Sequence, residues 1–286
     1  MFELESVQSY LVDQYGEGLH YDVPGSDYYR KTLGEANKGG LDLISRSPYH
    51  YRYWIDQADQ GGTEAMNFGR ALHCAILEPD LFKANWVTLP DFGPMNSSVN
   101  RANAKRYLEM RADKEFITAD QSEQLIAMQN AVFKHDTASA YVGAGRSEVT
   151  ACWRDQNTDL PCKARGDNYI ETFDTLIDVK SCLDASPEGF SKVVAKHRYH
   201  VQQAHYANGW ASCDKPLRHF IFLCIEKDPP YAVAIYPLDA ASEERGHVLL
   251  DRDMSMLSRC MEADRWPSYN NNQTAELRIP AYAHYD

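Results

Sequence analysis

The stretch that decides the fold is PCKARGDNYIETFDTLIDVK, residues 161–180. Leu160 to Ile170 and Thr175 to Ser181 read as two strands, because β-forming residues fill each run and turn residues separate them. If Glu171 to Asp174 form a four-residue turn, Ile170 pairs with Thr175. The sequence therefore predicts an antiparallel hairpin at the centre of the chain.

This register sorts charged from apolar side chains. It places Asp167 directly opposite Asp178, and Lys180 shares their face because side chains alternate along a strand. We expect the other face to pack against a core; it carries Cys162, Ala164, Gly166, Ile177 and Val179. A slip of one residue would bury the charges, so the binary pattern supports the register.

Two carboxylates at this spacing, roughly 5 Å, repel each other unless a cation lies between them. Hard oxygen ligands suit Mg²⁺ or Mn²⁺, and a neighbouring lysine holds a phosphate or orients and helps deprotonate a water. The trio Asp167, Asp178 and Lys180 thus predicts metal-assisted hydrolysis of a phosphodiester. The alternative is a surface hairpin with ordinary charges. Arg165 would face Lys180 in this register, so either a phosphate or acid lies there or the turn differs by one step.

Composition narrows the class of protein. The chain has 286 residues, with 29 Lys and Arg against 41 Asp and Glu, and a formal net charge of −12. That balance argues against a simple basic nucleic-acid-binding domain but leaves room for a local basic groove. The seven cysteines form no C-x-x-C pair, so a zinc ribbon and an iron–sulfur cluster are poorly supported.

The chain shows no sign of a membrane segment. No apolar run reaches the roughly 18 residues that span a bilayer. The start, MFELESVQSY, has acids where a signal peptide needs a basic region. We therefore expect no membrane partner and a cytoplasmic protein.

The rest of the chain suggests an α/β protein with a helical N-terminal half. Residues 1–40 read as a polar lead-in, and residues 41–286 as a single domain. Helices are predicted at Glu64–Glu78, after a capping box at Thr118–Gln121, from Ser186 to about Gly209 and at Asp239–Ala263. Further strands are expected at Glu148–Arg154, Arg218–Glu226 and Tyr231–Tyr236.

Besides the hairpin, five other groups of short motifs follow one another along the chain. They are Ser47-Pro-Tyr-His-Tyr51, Gly69-Arg-Ala-Leu-His73 with Glu78-Pro79, Ala185-Ser-Pro-Glu188, Tyr199-His-Val-Gln202-Gln-Ala-His-Tyr206 and Trp266-Pro-Ser-Tyr269. With them the chain, over roughly residues 41–283, resembles the PD-(D/E)XK nucleases. More narrowly it resembles the RecE-type exonuclease VIII branch, and more distantly the lambda-type exonucleases. Two positions depart from the formal motif, because Gly166 replaces its proline and the second acid is Asp178 rather than glutamate.

The resemblance implies a central mixed sheet flanked by helices and a set of site residues. Asp167 and Asp178 would ligate Mg²⁺, for which Mn²⁺ could substitute, and Lys180 would act on the attacking water or the scissile phosphate. His73 would be a further metal ligand, with a core histidine as the alternative. Glu148 matches an additional acid or is an exposed strand residue.

The helix that follows the hairpin supplies the remaining candidates. By the same resemblance, Gln202 and Tyr206 would support the site and contact DNA; otherwise they are a hydrogen-bonding pair one helical turn apart. DNA phosphates also need cations, and those near the site are Arg165, Lys192, Lys196 and Arg198. The alternative for any one of these cations is a solvated helix face.

The resemblance finally implies an activity and partners. It implies a 5′→3′ exonuclease of phage or prophage type in a bacterial cytoplasm, which degrades one strand from double-stranded DNA ends and leaves 3′ single-stranded tails for recombination. It also implies a homo-oligomeric ring, a tetramer rather than a trimer, and a RecT-type single-strand annealing protein. The alternatives are a nuclease fold used as a non-catalytic DNA-binding module, and a related metal-dependent endonuclease or single-strand nuclease.

Overall fold

The computed structural model describes residues 10–57 and 62–280. The first nine residues of the lead-in therefore lie outside the described residues. So does the end of the stretch that carries the nuclease resemblance, beyond residue 280. In the part described, none of the helices is long and apolar enough to cross a membrane.

A six-stranded mixed sheet forms the centre of the fold. Its strands are β1 (Gly18–His20), β4 (Arg146–Arg154), β5 (Pro161–Ile170), β6 (Thr175–Cys182), β7 (His219–Glu226) and β8 (Val233–Pro237). They lie side by side in that order, and every neighbouring pair is antiparallel except the parallel pair β6–β7. A separate parallel pair joins β2 (Trp86–Thr88) to β3 (Glu115–Ile117).

Helices cover the sheet, and most of the described helices precede β4. The first group comprises α1 (Tyr10–Tyr15), α2 (Gly25–Tyr28), α3 (Lys38–Arg46), α4 (Pro48–Asp56), α5 (Glu64–Leu77), α6 (Pro79–Asn85), α7 (Ser98–Glu109), α8 (Ala119–Lys134) and α9 (Asp136–Ala144). The second group comprises α10 (Pro187–Lys196), α11 (Tyr199–Ser212) and α12 (Ala240–Ala263). The α/β class, the mixed sheet and the helical N-terminal half are thus confirmed.

Side chains alternate between the two faces of the sheet, and each face has its own core. Along β7, Phe220, Phe222 and Cys224 belong to one cluster, whereas Ile221, Leu223 and Ile225 belong to the other. The first cluster packs beneath α3, α4, α10, α11 and α12, and the second beneath α5, α8 and α9. Because both faces are covered, the charged residues of the hairpin lie in the interior rather than on an open surface.

The predicted hairpin register is confirmed near the turn. Ile170 pairs with Thr175, and the ladder continues to the pair of Asn168 with Ile177. The turn is a single 3₁₀ segment closed by Asp174 in the left-handed conformation, with φ 47°. The regular pairing ends there, because the Asp167 carboxylate accepts a hydrogen bond from the Val179 backbone N–H at 2.7 Å.

The single apolar face expected for the hairpin is wrong. Cys162 and Ala164 belong to the first core, but Ile177 and Val179 belong to the second. The cause is a break in alternation at Asp167. Before the break, the α-carbon of Gly166 adjoins Leu176 and Trp210 of the first core. After it, the side chain of Asn168 donates to the Tyr141 carbonyl of α9.

The helix expected from Ser186 to Gly209 is divided into two. Ser186 caps α10, accepting from the Gly189 N–H at 3.1 Å as its sequence predicts. Arg198 then adopts the left-handed conformation, with φ 55°, and α11 begins at Tyr199. This turn lets α11 leave the direction of α10 and pack on α12.

Residues 10–40 of the lead-in are integrated into the fold. Strand β1 pairs with β4 at the edge of the main sheet. Glu35 is buried and forms an ion pair with Lys163 of β5, 2.6 Å between Oε2 and Nζ. The same ammonium donates to the Arg30 carbonyl at 2.7 Å. Long-range ion pairing therefore fixes a segment whose local sequence reads only as polar.

Candidate metal and hydrolytic site

Three predicted site residues converge where the β4–β5 ladder is interrupted. They are His73 of α5, Glu148 of β4 and Asp167 of β5, whose potential ligand atoms all lie within 4.8 Å of one another. Glu148 and Asp167 are the one opposed pair missing from the β4–β5 register, and Glu148 has φ 54°. Directly opposed residues of two antiparallel strands share a face, so both carboxylates approach the same point, and the ladder is irregular at this pair.

Asp167 has two partners from different elements. Its Oδ2 accepts from the Val179 N–H and lies 3.5 Å from Nδ1 of His73. Burial opposes ionisation of this carboxyl, but His73, Lys180 and the Val179 N–H outweigh it and lower the pKa of Asp167. For His73, burial disfavours the charged ring, yet Asp167 raises its pKa above the usual value. The two side chains thus hold each other in place.

Glu148 is the strained member of the cluster. Burial, and then repulsion from Asp167, raise its pKa to about 7, although Arg165 pulls the other way from 3.7 Å. Its backbone φ of 54° is uncommon for a residue other than glycine. Such strain and a raised carboxyl pKa cluster at functional sites, which favours the ligand interpretation over an ordinary strand residue.

Asp178 lies nearby but turns toward α11. One carboxylate oxygen accepts from Nε2 of Gln202 at 2.6 Å, and the other forms an ion pair with Nζ of Lys180. Among the residues described, Asp178 belongs to no cluster with metal-ligand spacing. Burial raises its pKa to about 6, although Lys180 opposes the rise. The prediction that Asp167 and Asp178 form the opposed pair of metal ligands is therefore wrong. Asp167 instead groups with His73 and Glu148, and Asp178 lies beside this triad.

Lys180 keeps its charge at this site. Burial disfavours the ammonium, but Asp178 and Asp167 outweigh burial and raise the pKa of Lys180 above its usual value. The ammonium also lies 4.7 Å from the ring centroid of Tyr199, a cation–π geometry. A lysine that stays protonated is suited to hold a phosphate oxygen rather than to take a proton from water.

Tyr206, predicted to act with Gln202, is a packed residue. It stacks on Trp210 at 6.2 Å between ring centroids and meets Phe220 edge-on at 6.0 Å. Burial raises the pKa of its hydroxyl well above the usual value, although a hydrogen bond with Gln202 opposes this. Its surroundings suit support of α11 beneath the site.

Two of the predicted DNA contacts are occupied within the protein, Arg165 as a buried residue and Arg198 as a partly buried one. The guanidinium of Arg165 bonds to Oγ1 of Thr150 at 2.9 Å and to the Val23 carbonyl at 2.8 Å, and it lies 4.2 Å from the Tyr28 ring centroid. It therefore turns to the N-terminal segment instead of facing Lys180. Arg198 is likewise occupied, by ion pairs with Asp42 and Asp253. Neither guanidinium presents the open surface that a DNA phosphate requires.

The other two predicted contacts lie on α10. Lys192 is exposed and pairs with Glu188 one turn earlier, 2.8 Å between Nζ and Oε1. Lys196 is also exposed, in the last turn of the helix. Both lysines are therefore accessible to a DNA strand.

A polar cavity of about 770 Å³ adds cations that sequence reasoning missed. Its lining includes Tyr29, Arg30, Lys31 and Arg70. Its lining and the triad share helix α5, on which Arg70 lies one turn before His73. Arg70 belongs to the Gly69–His73 motif. Its position three residues before His73 places both side chains on the same face of α5, and this spacing could have identified it.

The residues present fit a hard divalent cation. Two carboxylates and an imidazole within 4.8 Å match the oxygen-rich sites that Mg²⁺ and Mn²⁺ prefer. The raised pKa values of Glu148 and Asp178 reflect buried negative charge that the neighbouring cations do not fully balance. A bound cation would supply that balance.

A mixed sheet with an aspartate on one hairpin strand, an Asp-x-Lys on the next and a glutamine helix behind them defines the PD-(D/E)XK nuclease fold. The chain belongs to the family described as a PDDEXK-like domain of unknown function (DUF3799), whose model matches residues 50–276.

One solved structure shares this fold over most of both chains. The chain is similar to a "putative exonuclease" from Eubacterium rectale, with 11% identity and a TM-score of 0.61, over 92% of this chain and 98% of that one. It also matches a phage related exonuclease from Haemophilus somnus, with 11% identity and a TM-score of 0.29, over 61% of this chain and 92% of that one. No curated protein matches the chain.

Proposed function

We propose that this protein is a Mg²⁺-dependent exodeoxyribonuclease. It would shorten one strand of linear double-stranded DNA in the 5′→3′ direction and leave 3′ single-stranded tails for recombination by strand annealing. The observation that carries the proposal is the triad of His73, Glu148 and the buried Asp167 beside the Asp178–Lys180 ion pair. A structural role alone gives no reason to bring two carboxylates and a histidine together around one point at the cost of their desolvation.

Each side chain has a distinct part in hydrolysis. Asp167, Glu148 and His73 would hold the cation, with Asp178 alongside. When bound, the cation would activate a water and stabilise charge on the phosphate oxygens. The Lys180 ammonium would hold a phosphate oxygen in line with that water.

The polar cavity offers a route for the DNA backbone. Arg30, Lys31 and Arg70 line it, and Arg70 lies one helical turn before His73, so the phosphates of a DNA strand that follows this cavity to the site would meet cations. Glu115 neutralises part of this charge, since it accepts two hydrogen bonds from Arg70 at 3.2 and 3.0 Å. Lys192 and Lys196 are additional candidates on α10.

The proposal extends to the RecE-type branch and its partners. The ordered motifs support a RecE-like enzyme of phage or prophage origin acting in a bacterial cytoplasm. A homo-oligomeric ring, favoured as a tetramer, would encircle the duplex, and a RecT-type annealing protein would coat the product strand.

The test is digestion of a linear duplex labelled at the 5′ or the 3′ end, with Mg²⁺ or with EDTA. We expect immediate release of the 5′ label with Mg²⁺ and none with EDTA. Early release of the 3′ label would reverse the proposed polarity. Cleavage of covalently closed circles would identify an endonuclease instead.

A matched variant separates chemistry from binding. Asp167→Asn keeps the shape of the side chain but removes the charge that a cation needs. Loss of digestion with retained gel shift on duplex DNA supports the proposal. A gel shift by the wild-type protein without any metal-dependent product would instead support a non-catalytic DNA-binding module.

A further inference from the structure

A network of ion pairs centred on one buried carboxylate joins α3, α12 and the start of α11. Asp253 of α12 has a fully buried carboxylate, which forms ion pairs with Arg198 and Arg252. Arg198 also donates to Oδ1 of Asp42 at 3.0 Å and to the Leu41 carbonyl at 3.1 Å. Burying a carboxylate carries a large desolvation cost that ion pairs only partly offset. This cost suggests that the network has a role beyond stability.

The network leads to the hydrolytic site through the backbone. Arg198 is the residue before α11, in the left-handed conformation. Its carbonyl accepts from the N–H of Val201 at 3.0 Å and from the N–H of Gln202 at 3.2 Å, and so begins the helix. The side chain of Gln202 then donates to Asp178, whose other oxygen pairs with Lys180. Each link is a direct contact.

The left-handed turn explains why the network is needed. A residue other than glycine pays a conformational cost at φ 55°, and the side chain of Arg198 makes no capping hydrogen bond to its own helix. Its guanidinium is instead held by carboxylates on α3 and α12. Fixing the guanidinium from both sides fixes the turn, and the turn sets where Gln202 points.

We infer that Asp253, acting through Arg198, is a positioning residue that holds Gln202 against Asp178 and thereby sets the geometry of the Asp178–Lys180 pair. This inference rests on the proposed function for its kinetic test. It changes the role predicted for Arg198 from DNA contact to support of the site. Asp253 cannot contact DNA, because its side chain is fully buried.

The kinetic test compares Asp253→Asn, Arg198→Ala and Gln202→Ala under steady-state conditions on linear duplex. Loss of a residue that orients a site ligand typically costs about 10- to 100-fold in activity. We expect a fall of that size in kcat for all three variants, with KM changed less than about twofold. A DNA-contacting Arg198 would instead raise KM in Arg198→Ala and leave Asp253→Asn close to wild type.

Double variants add a readout that loss of stability does not mimic. Once Gln202→Ala has removed the contact with Asp178, adding Asp253→Asn should reduce kcat by less than about twofold further, because both act through one path. Arg198→Lys, which keeps the charge toward Asp253, should recover a substantial part of the activity of Arg198→Ala. Additive losses, or no recovery, would overturn the inference.

Two further variants keep the test valid if Asp253→Asn folds poorly. Asp42→Asn removes the partly exposed partner of Arg198 and should give a smaller loss of kcat in the same direction. Lys83→Ala, on the exposed face of α6, serves as the control and should match wild type. A kcat for Asp42→Asn equal to that of Lys83→Ala would refute the inference.

Mn²⁺ binding by calorimetry separates this inference from the proposed function. If the wild-type protein binds Mn²⁺ but degrades no DNA, the exonuclease proposal fails while the positioning role stays testable. Asp253→Asn and Gln202→Ala should then weaken Mn²⁺ by about the same factor, roughly tenfold. In that case, unchanged Mn²⁺ affinity in both variants would overturn the inference.

Discussion

Replacing Glu148 by glutamine should stabilise the metal-free protein at alkaline pH. The carboxyl has an ordinary pKa of 4.5, and burial with repulsion from Asp167 raises it to about 7. For a fully buried group, that rise corresponds to about 3 kcal/mol against folding when the carboxyl is charged. Because 33% of the side chain is exposed, solvent reduces the cost to about 1–2 kcal/mol.

The pH dependence has a definite sign. An acid whose pKa is raised by folding destabilises the folded state only where the unfolded chain is ionised. The cost of Glu148 is therefore absent below pH 4.5, grows between pH 4.5 and about 7, and is complete above about 7. Glutamine carries no charge at any of these pH values, so Glu148→Gln should gain nothing at pH 4.5 and about 1–2 kcal/mol at pH 8.

Urea unfolding in EDTA at pH 5, 6, 7 and 8 measures this difference. Glu188→Gln, on the exposed start of α10, is the matched control and should change stability by less than about 0.5 kcal/mol. Adding Mg²⁺ should reverse the order at pH 8, because only the wild-type cluster gains the free energy of binding a ligand to the folded state. The reasoning is refuted if Glu148→Gln is less stable than wild type at pH 8 in EDTA, or if its effect does not depend on pH.

Three further changes test other parts of the structure. Lys180→Ala should keep the gel shift on duplex DNA but lose at least about 100-fold in hydrolysis; full activity with Mg²⁺ would reject the site. Gly166→Ala should cost about 1–3 kcal/mol in urea unfolding, because its new methyl group would lie 2.9 Å from the Trp210 ring, whereas Gly69→Ala, with open space around it, should be neutral or stabilising. Asp167→Asn should abolish calorimetric Mn²⁺ binding at pH 7, and retained affinity would place the metal elsewhere.

Local features of the sequence predicted the parts of the fold that local chemistry controls. The turn at 171–174 set the hairpin register, since its length leaves one pairing for Ile170. The capping box of Thr118 and Gln121 is formed as expected, and Asp239 caps α12. In each case the deciding contact joins residues within a few positions, so the pattern is visible without the fold.

Contacts between distant residues were not predictable in the same way. Arg198 meets Asp42 and Asp253, which lie 156 and 55 positions away, and no local pattern distinguishes a buried arginine from a solvated one. The break in alternation at Asp167 left only a weak signal in the sequence, where the polar pair Asp167 and Asn168 is followed by the apolar pair Tyr169 and Ile170. The site therefore has the predicted residue types but a different grouping, with Glu148 inside the cluster and Asp178 beside it.

The pairing of Lys163 with the N-terminal segment has a practical consequence for choosing expression boundaries. The family model begins at residue 50, yet Glu35 and the carbonyl of Arg30 surround the ammonium of Lys163 in the interior. A protein that starts at residue 50 would leave the Lys163 ammonium buried without these partners. The loss would lower the free energy of unfolding by about 3–5 kcal/mol, a large part of the stability of a typical domain. Recombinant protein for every assay above should thus keep the segment that contains Arg30 and Glu35, although neither residue belongs to the cluster around Asp167.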